Sequence, residues 1–267
     1  MIGLFLGDTD FPNLVLKKVK KLKKKYFIID FSKKNKFAKE KNSYRISIGK
    51  FGKIISVIKK NKSNKVLFAG KIAKPKFSTL RLDFKGFYYM PSVIKAAKLG
   101  DAAIIKTIIK ILEREKIKVI SSIFYNPELS LKAGNYTKIK PTLENMKSIK
   151  RGIIYFNQLN NLDHVQALVV DNKKVIATEG NSGTKKMLSK LKKRSDGILI
   201  KLPKKKQDLR MDLPTIGLNT LKDCKKYGLK GIVLKSKKNI FLDKIQCIKF
   251  ANKNKIFIKI IWRKFSF

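Results

Sequence analysis

The 267-residue sequence contains only two cysteines and one histidine, and this scarcity excludes several kinds of site. Cys224 and Cys247 are too few for a disulfide framework or, by themselves, for a thiolate zinc site. A single histidine, His164, excludes a multi-histidine metal centre, and no Gly-x-Ser-x-Gly nucleophile elbow accompanies it. We therefore interpret His164 as a structural or surface residue and both cysteines as buried small hydrophobes.

Long hydrophobic runs are also missing. The apolar run at the start of the chain, Ile2–Leu6, is too short for a signal peptide or a membrane span. Elsewhere lysines interrupt every long apolar stretch. Together these absences predict a soluble, cytoplasmic protein.

Acidic side chains are scarce: 18 Asp and Glu face 64 Lys and Arg, which gives a formal net charge of +46. Nucleic-acid binding is one interpretation, because lysines that neutralise phosphates release counterions. However, only seven of the basic residues are arginine, the side chain that reads bases and phosphates bidentately, and the lysines are spread along the whole chain. This dispersal favours lysines on solvated faces, and attraction to anionic lipid headgroups is a third alternative.

The rest of the composition indicates a folded chain, with 43% hydrophobic residues, 17 Phe and 8 Tyr. Short apolar runs typical of strands alternate with stretches of helical periodicity, as in a parallel sheet covered by helices. The helical stretches include Pro91–Lys116 and Thr184–Arg194. Residues Gln166–Val170 and Val175–Glu179 flank a turn and predict a β-hairpin.

Prolines, Asn135 and Gly134 break the periodicity between Asn126 and Thr142. We therefore predict an α/β fold with two α/β domains joined by a hinge. The N-terminal domain, residues 1–134, is expected to be a Rossmann-like parallel sheet. The C-terminal α/β domain, residues 135–267, is expected to contain the catalytic residues.

Two carboxylates form the strongest candidate site. Asp208 and Asp212 are four residues apart, a spacing that places both on one side of the chain whether it is extended or helical. Such a pair can bind Mg²⁺, which prefers one or two carboxylates together with substrate phosphates. Arg210 and Lys201 would supply positive charge for phosphate oxygens. The alternative is a surface turn in which the aspartates pair with lysines.

A second candidate follows the predicted hairpin. The sequence from Glu179 to Lys185 is EGNSGTK, which ends a strand and begins a helix. Backbone N–H groups near Gly183 and Thr184 can form an anion site. Glu179 is a candidate third metal ligand or general base. The alternative is an ordinary strand-to-helix turn with Thr184 as the N-cap.

The third candidate is the loop after the first strand, which contains Gly7 and Asp10. A doubly wound sheet presents its nucleotide-binding loop here, although the Gly-x-Gly-x-x-Gly fingerprint is absent. Gly70 and Lys71 end a neighbouring strand and are expected to line the same crevice.

These segments resemble one known family over nearly the whole chain. Residues 207–217, QDLRMDLPTIG, resemble the Gln-Asp-x-Arg-x-Asp-Leu-Pro-x-x-Gly block of the LpxI-type UDP-2,3-diacylglucosamine pyrophosphatases. Further matches are Phe68–Lys71 with Pro75, Gln166-Ala167, Glu179 with Gly183-Thr184, and Asp243. The resemblance implies two α/β domains with substrate between them. It also implies roles in substrate binding for Gly70, Lys71, Gln166, Gly183 and Thr184, to which the loop after the first strand adds Gly7 and Asp10 as candidates.

The resemblance further implies an activity in lipid A synthesis in Gram-negative bacteria. The reaction is metal-dependent hydrolysis of the pyrophosphate of UDP-2,3-diacylglucosamine, which yields UMP and 2,3-diacylglucosamine 1-phosphate (lipid X). Asp208 or Asp212 would be the catalytic aspartate, and a homodimer is expected. We predict that Mg²⁺ held by Asp208, Asp212 and Glu179 neutralises the diphosphate, while Arg210 and Lys201 stabilise the leaving phosphate.

Because the substrate is a lipid of the inner leaflet, we also expect peripheral association with the inner membrane. The surface lysines and the apolar–basic segment Ile256–Phe267 are candidates for this contact, although such a segment is also typical of a core strand with a frayed end. The alternative function is that of a non-catalytic basic protein that binds RNA or a membrane surface. Under the enzymatic interpretation no specific nucleic acid is expected.

Overall fold

A computed structural model describes residues 1–159, 165–180, 182–191, 196–204 and 207–262. Contacts between residues divide the chain into two compact units. The N-terminal unit comprises Met1–Pro127 and Asp208–Asp212, and the C-terminal unit comprises Glu128–Gln207 and Leu213–Phe267. A five-residue segment from the middle of the C-terminal half therefore belongs to the N-terminal unit. The sequence, by comparison, predicted one change of domain at residue 134.

The N-terminal unit is built around a sheet of five parallel strands in the order β3-β2-β1-β4-β5. This topology confirms the predicted Rossmann-like sheet. The elements of this unit are β1 (Ile2–Leu6), α1 (Phe11–Lys21), β2 (Tyr26–Asp30), β3 (Ser43–Arg45), α2 (Phe51–Lys60), β4 (Lys65–Ala69), α3 (Phe84–Leu99), α4 (Asp101–Arg114) and β5 (Lys118–Ile120).

The central strands of this sheet are continuous apolar runs, and every residue of β1 is buried. Such runs are expected where helices cover both faces of a parallel sheet. In α1 the residues Val15, Leu16 and Val19 are buried, while lysines occupy the last turn, where the helix dipole favours positive charge. Helix α1 is therefore a surface helix with one buried face.

The predicted single helix Pro91–Lys116 is wrong, because two helices occupy this region. Gly100 separates them with a φ of 114°, a conformation that glycine adopts without a steric penalty. The first of them, α3, also begins earlier than predicted, at Phe84. Asp83 caps its N-terminus by accepting a hydrogen bond from the N–H of Gly86, at 2.8 Å.

The C-terminal unit contains a mixed six-stranded sheet in the order β6-β13-β11-β9-β7-β8, and a separate pair of short strands, β10 and β12. Its elements are β6 (Gly134–Asn135), α5 (Leu143–Gln158), β7 (Ala167–Asp171), β8 (Lys174–Thr178), α6 (Gly183–Ser189), β9 (Ile198–Lys201), β10 (Thr215–Ile216), α7 (Leu218–Lys226), β11 (Gly231–Lys235), β12 (Ile240–Phe241), α8 (Lys244–Lys253) and β13 (Phe257–Ile261). The predicted α/β character of this half is confirmed.

The predicted hairpin is confirmed as β7 and β8, which pair antiparallel. Its turn residues Asn172 and Lys173 have φ of 45° and 66°, the positive values that a tight hairpin turn requires. The helix predicted over Thr184–Arg194 is shorter, since α6 ends at Ser189. Residues 192–194 of that prediction lie outside the described residues, as does His164.

Both cysteines are buried and free, as predicted. Cys224 lies in α7 and Cys247 in α8, a helix that the sequence did not predict. Burial raises the pKa of Cys247 to about 11. These thiols therefore remain neutral packing groups at physiological pH.

Candidate active site

In the N-terminal unit, backbone hydrogen bonds join the loops that follow β1 and β4. These neighbouring strands mark the point where the strand order reverses, which is where open α/β sheets bind ligands. The N–H of Asp8 donates to the carbonyl of Lys71 at 2.8 Å, and the N–H of Lys71 donates back to the carbonyl of Asp8 at 3.1 Å. The structure thus brings the predicted loop and Lys71 together.

Two of the predicted glycines permit this close approach. A Cβ on Gly7 would lie 2.4 Å from the carbonyl oxygen of Lys71, and one on Gly70 would lie 2.2 Å from that of Asp8. Gly70 also has a φ of 84°. Any side chain at either position would force these loops apart. Asp10 is exposed and occupies the N-cap position of α1, but its side chain does not cap the helix.

Asp208 and Asp212 lie on a single helical turn that belongs to the N-terminal unit. The N–H of Asp212 donates to the carbonyl of Asp208 at 3.0 Å, so the helical form of the two predicted geometries is present. The N–H of Ser122, just after β5, donates to the carbonyl of Arg210 at 2.8 Å, and Met211 packs on the hydrophobic core of this unit. We call residues 208–212 the aspartate turn.

Two side-chain nitrogens of Arg210 donate hydrogen bonds to the carboxylate of Asp208. Its Nε lies 3.1 Å from Oδ1 and its Nη2 lies 2.9 Å from Oδ2, while the backbone N–H of Arg210 also donates to Oδ1 at 3.0 Å. The remaining Nη1 donates to Glu113 Oε1 at 2.8 Å. Hydrogen bonds from Arg210 hold the pKa of the Asp208 carboxyl below its ordinary value, against the opposing effect of burial. Asp208 is therefore an ionised group that orients a guanidinium.

In the C-terminal unit, the other predicted residues form a chain of hydrogen bonds. Glu179, which is only 6% exposed, follows β8 and accepts the N–H of Gln166 at 2.9 Å and the hydroxyl of Thr184 at 2.7 Å. The ammonium of Lys201, at the end of β9, donates to that hydroxyl oxygen at 3.0 Å. We call Glu179, Thr184, Lys201, Gln166 and Gln207 the buried polar cluster.

The interpretation of Thr184 as the N-cap of a helix is wrong. Ser182 occupies the position before α6, which begins with Gly183 at a φ of 81°. The hydroxyl of Thr184 bonds instead to Glu179, which follows β8, and to Lys201, which ends β9. With seven residues, α6 is too short to supply much dipole at its start.

Gln207 and Glu113 were not among the predicted site residues. Gln207 is 8% exposed, and its Oε1 accepts the N–H of Lys204 at 2.9 Å and the side-chain amide of Gln166 at 3.1 Å. Its place at the start of the aspartate-containing motif was the signal in the sequence. Glu113 pairs with a residue 97 positions away, and no local pattern indicates that contact.

The described residues contain no group of three or more His, Cys, Asp or Glu side chains arranged to hold a metal ion. Glu179 is buried and both of its oxygens accept hydrogen bonds within the C-terminal unit, so its contacts do not indicate the role of third ligand. Asp208, which is less enclosed, lies on one turn with Asp212, and carboxylates are donors that Mg²⁺ binds together with water and phosphate oxygens. We therefore retain only this pair as candidate metal ligands.

Comparison with known proteins agrees with the two-part architecture. Residues 1–129 match the family described as LpxI N-terminal domain, and residues 132–259 match the LpxI C-terminal domain. The chain is 31% identical over 223 residues to a protein of Caulobacter vibrioides, strain ATCC 19089, and the match covers 80% of each chain. That protein is named UDP-2,3-diacylglucosamine pyrophosphatase LpxI.

This chain is a two-domain α/β enzyme. It combines a Rossmann-like unit and a second α/β unit with a motif that contains both carboxylates and cations. It belongs to the LpxI family. The resemblance drawn from residues 207–217 is thereby confirmed, as is the prediction of an enzyme.

Proposed function

We propose that this chain hydrolyses the pyrophosphate bond of UDP-2,3-diacylglucosamine to UMP and 2,3-diacylglucosamine 1-phosphate. The observation that supports this most directly is the arrangement around residues 201–212 in a member of the LpxI family. This stretch contributes an ammonium and a buried amide to the buried polar cluster, and a guanidinium with two carboxylates to the aspartate turn. A diphosphate needs such cations, because its own negative oxygens repel a nucleophile.

The two aspartates have different roles in this proposal. Asp208 is engaged by three nitrogens of Arg210 and has a depressed pKa, so it is a weak base and a positioning residue for the guanidinium. Asp212 takes the proton from the attacking water at a carboxylate oxygen. The water oxygen forms a bond to phosphorus as the bridging P–O bond breaks. Arg210 and Lys201 stabilise the negative charge on the phosphate oxygens.

We further infer that Mg²⁺ takes part, held by Asp208 and Asp212 together with substrate oxygens. When bound, such an ion neutralises charge on the diphosphate and polarises its oxygens. Each oxygen of Asp208 already accepts two hydrogen bonds from Arg210, so in this proposal an ion bound to Asp208 takes the place of part of that bonding.

The direct test is incubation of the purified protein with UDP-2,3-diacylglucosamine, with and without EDTA, while UMP release is measured. We expect UMP to appear and chelation to suppress it, with restoration by added Mg²⁺. The double variant Asp208→Ala, Asp212→Ala is expected to fold and to release no UMP. Absence of UMP with every divalent ion tried, from a folded wild-type protein, would refute the proposed activity. Unchanged turnover in EDTA would refute only the metal.

We also propose that the enzyme works at an anionic membrane surface. The described part of the predicted C-terminal anchor does not support that role for residues 256–261, because β13 is a buried strand of the sheet. Within the described ranges, no helix has both the length and the apolarity needed to cross a bilayer. The contact that we propose is from one side of the bilayer, through exposed side chains.

Helix α3 presents the face that suits this contact. Its residues Phe84, Phe87 and Tyr88 are 90%, 68% and 72% exposed, and their spacing places them on one side of the helix. Large aromatic side chains in water are unfavourable, whereas at a bilayer interface they are stabilising. The same helix exposes Lys95 and Lys98, which complement anionic headgroups.

Sedimentation with vesicles tests the membrane proposal. We expect the protein to sediment with phosphatidylglycerol vesicles far more than with phosphatidylcholine vesicles, and the triple variant Phe84→Ser, Phe87→Ser, Tyr88→Ser to remain in solution. A matched control is Leu143→Ser with Ile245→Ser, since these residues of the C-terminal unit are 82% and 71% exposed. Equal loss of binding in the control would count against a specific role for α3. The expected homodimer stays a prediction for light scattering.

A further inference from the structure

The side-chain amide of Gln207 has a fixed orientation. Its Oε1 accepts the backbone N–H of Lys204 at 2.9 Å, and a backbone N–H can only meet an oxygen, so the amide cannot be reversed. The amide of Gln166 donates to the same Oε1 at 3.1 Å. Both acceptor sites of this oxygen are therefore in use. The Nε2 group of Gln207 lies in the same amide plane as Oε1, on the other side of Cδ, so it does not face these two partners.

That Nε2 group is buried and has no hydrogen-bond partner among the residues that the structure describes. Gln207 as a whole is 8% exposed. A buried donor without an acceptor is costly, and such groups are uncommon in folded proteins. In Gln207 the unsatisfied donor belongs to an amide group whose oxygen is fixed by two hydrogen bonds. A rigid, unsatisfied donor is what a binding site for an acceptor ligand requires.

The neighbouring groups identify the kind of acceptor. Gln166 links the amide of Gln207 to Glu179 through its own backbone N–H, and the carbonyl of Gln166 accepts the N–H of Leu202, next to Lys201. The hydroxyl of Thr184 donates to Glu179 and accepts from the Lys201 ammonium, which fixes the position of that cation. An amide N–H donor that shares a hydrogen-bonded cluster with an ammonium suits an oxyanion and disfavours a metal ion.

We propose that Gln207 Nε2 donates a hydrogen bond to a non-bridging phosphate oxygen of the bound diphosphate, in the same hydrogen-bonded cluster as Lys201. This inference rests on the proposed function for the identity of the ligand. Gln207 is then a substrate-binding residue, and Gln166 and Glu179 are positioning residues that act through Gln207 and Lys201.

The decisive variant is Gln207→Glu, because Glu retains the oxygen that accepts from Lys204 and Gln166 and replaces only the donor. UDP, inorganic pyrophosphate and uridine serve as probes, with affinities measured by titration calorimetry. Loss of a hydrogen bond to a charged oxygen, with a carboxylate in its place, is expected to weaken UDP and pyrophosphate binding by at least about 10-fold. Uridine, which lacks phosphate, should bind as it does to the wild type. The control Gln246→Glu makes the same chemical change on an exposed face of α8.

Unchanged affinity of Gln207→Glu for UDP, with its fold intact by circular dichroism, would overturn the proposal. Equal weakening of UDP and uridine binding would also overturn it, because that result indicates a general disturbance or a contact to the base. Titration with UDP does not depend on turnover. A protein that binds UDP through Gln207 but releases no UMP from the diacylglucosamine substrate would therefore refute the proposed function and leave this site standing.

Discussion

The aspartate turn and the buried polar cluster meet in the sequence at Gln207 and Asp208. Their carboxylates have different hydrogen-bond partners. Asp208 is paired with a guanidinium through two nitrogens, and that pair continues to Glu113 on the protein surface. Glu179 is enclosed and bonds to a backbone N–H and a hydroxyl, through which it reaches the ammonium of Lys201. One carboxylate orients a cation directly. The other does so through an intervening hydroxyl.

The difference indicates a division of labour between the two units. A directly paired aspartate keeps Arg210 in one orientation in a partly exposed position, where surface ion pairs alone add little stability. A buried glutamate must have every oxygen satisfied, so it rigidifies the strand ends around it. Changes in the aspartate turn should therefore affect catalysis, and changes in the buried polar cluster should affect both stability and binding.

The largest effect is expected for Asp212→Asn. Loss of the proposed general base should lower kcat by about 1,000-fold, with the fold retained, because Asn has the same shape but takes up no proton. UMP release under saturating substrate measures this. Asp196→Asn, at an exposed carboxylate that pairs with Lys230, is the control and should keep full activity. A near-normal kcat in Asp212→Asn would show that Asp212 is not the general base.

A smaller loss is expected for Arg210→Lys. Lysine retains the charge but cannot bond bidentately to Asp208 while it also reaches Glu113, so kcat/KM should fall by about 100-fold or less. Asp208→Asn should also reduce activity, because the Arg210 guanidinium loses the carboxylate that orients it. In a double-mutant cycle the two changes should therefore be strongly non-additive. Simple additivity would mean that Asp208 does not act through Arg210.

The buried polar cluster is probed by Glu179→Gln. One side-chain oxygen becomes an NH₂ group that faces either the N–H of Gln166 or the hydroxyl of Thr184. A loss of about 1–3 kcal/mol in unfolding free energy is expected from the displaced hydrogen bond. Urea denaturation measures it, and Glu144→Gln, at an exposed ion pair, should change stability by less than about 0.5 kcal/mol. Equal effects at the two positions would remove the contrast between surface and cluster.

The smallest effect is the pH dependence that Asp208 contributes. Hydrogen bonds from Arg210 depress its pKa in the folded state, so the ionised form stabilises the fold above the unfolded pKa of about 3.9. This contribution is lost as pH falls through the lower folded value. The stability difference between wild type and Asp208→Asn should therefore be constant near neutral pH and shrink in acid. A difference that grew on acidification would contradict the assigned pairing.

Local patterns in the sequence were sufficient for much of the fold. The alternation of apolar strands and helices predicted the parallel sheet, and Asp171–Lys174 predicted the hairpin turn, because both depend on neighbouring residues. Helix α3 was only partly found. Its first turns expose Phe84, Phe87 and Tyr88, so the hydrophobic periodicity there does not mark a buried face. Asp83, which also accepts the N–H groups of Gly52 and Lys53, lies far along the chain from those partners.

The candidate site shows the same limit. Glu179, Thr184 and Lys201 were predicted because each lies at the end of a strand or the start of a helix, and the sheet brings them together. The link from Arg210 to Glu113 and the burial of Gln207 depend on tertiary contacts that no spacing encodes. The assignment of the aspartate turn to the N-terminal unit belongs to this class too.

That assignment has a consequence for how the protein is made on the ribosome. The sheet of the N-terminal unit is complete once residue 120 has been translated, but the segment that supplies Met211 and the carbonyl bonded to Ser122 emerges more than 80 residues later. During synthesis the N-terminal unit therefore lacks its last segment, residues 208–212, until most of the C-terminal unit has been translated. For the same reason, cutting the gene between residues 127 and 128 yields two fragments, and the first lacks a piece of its own core.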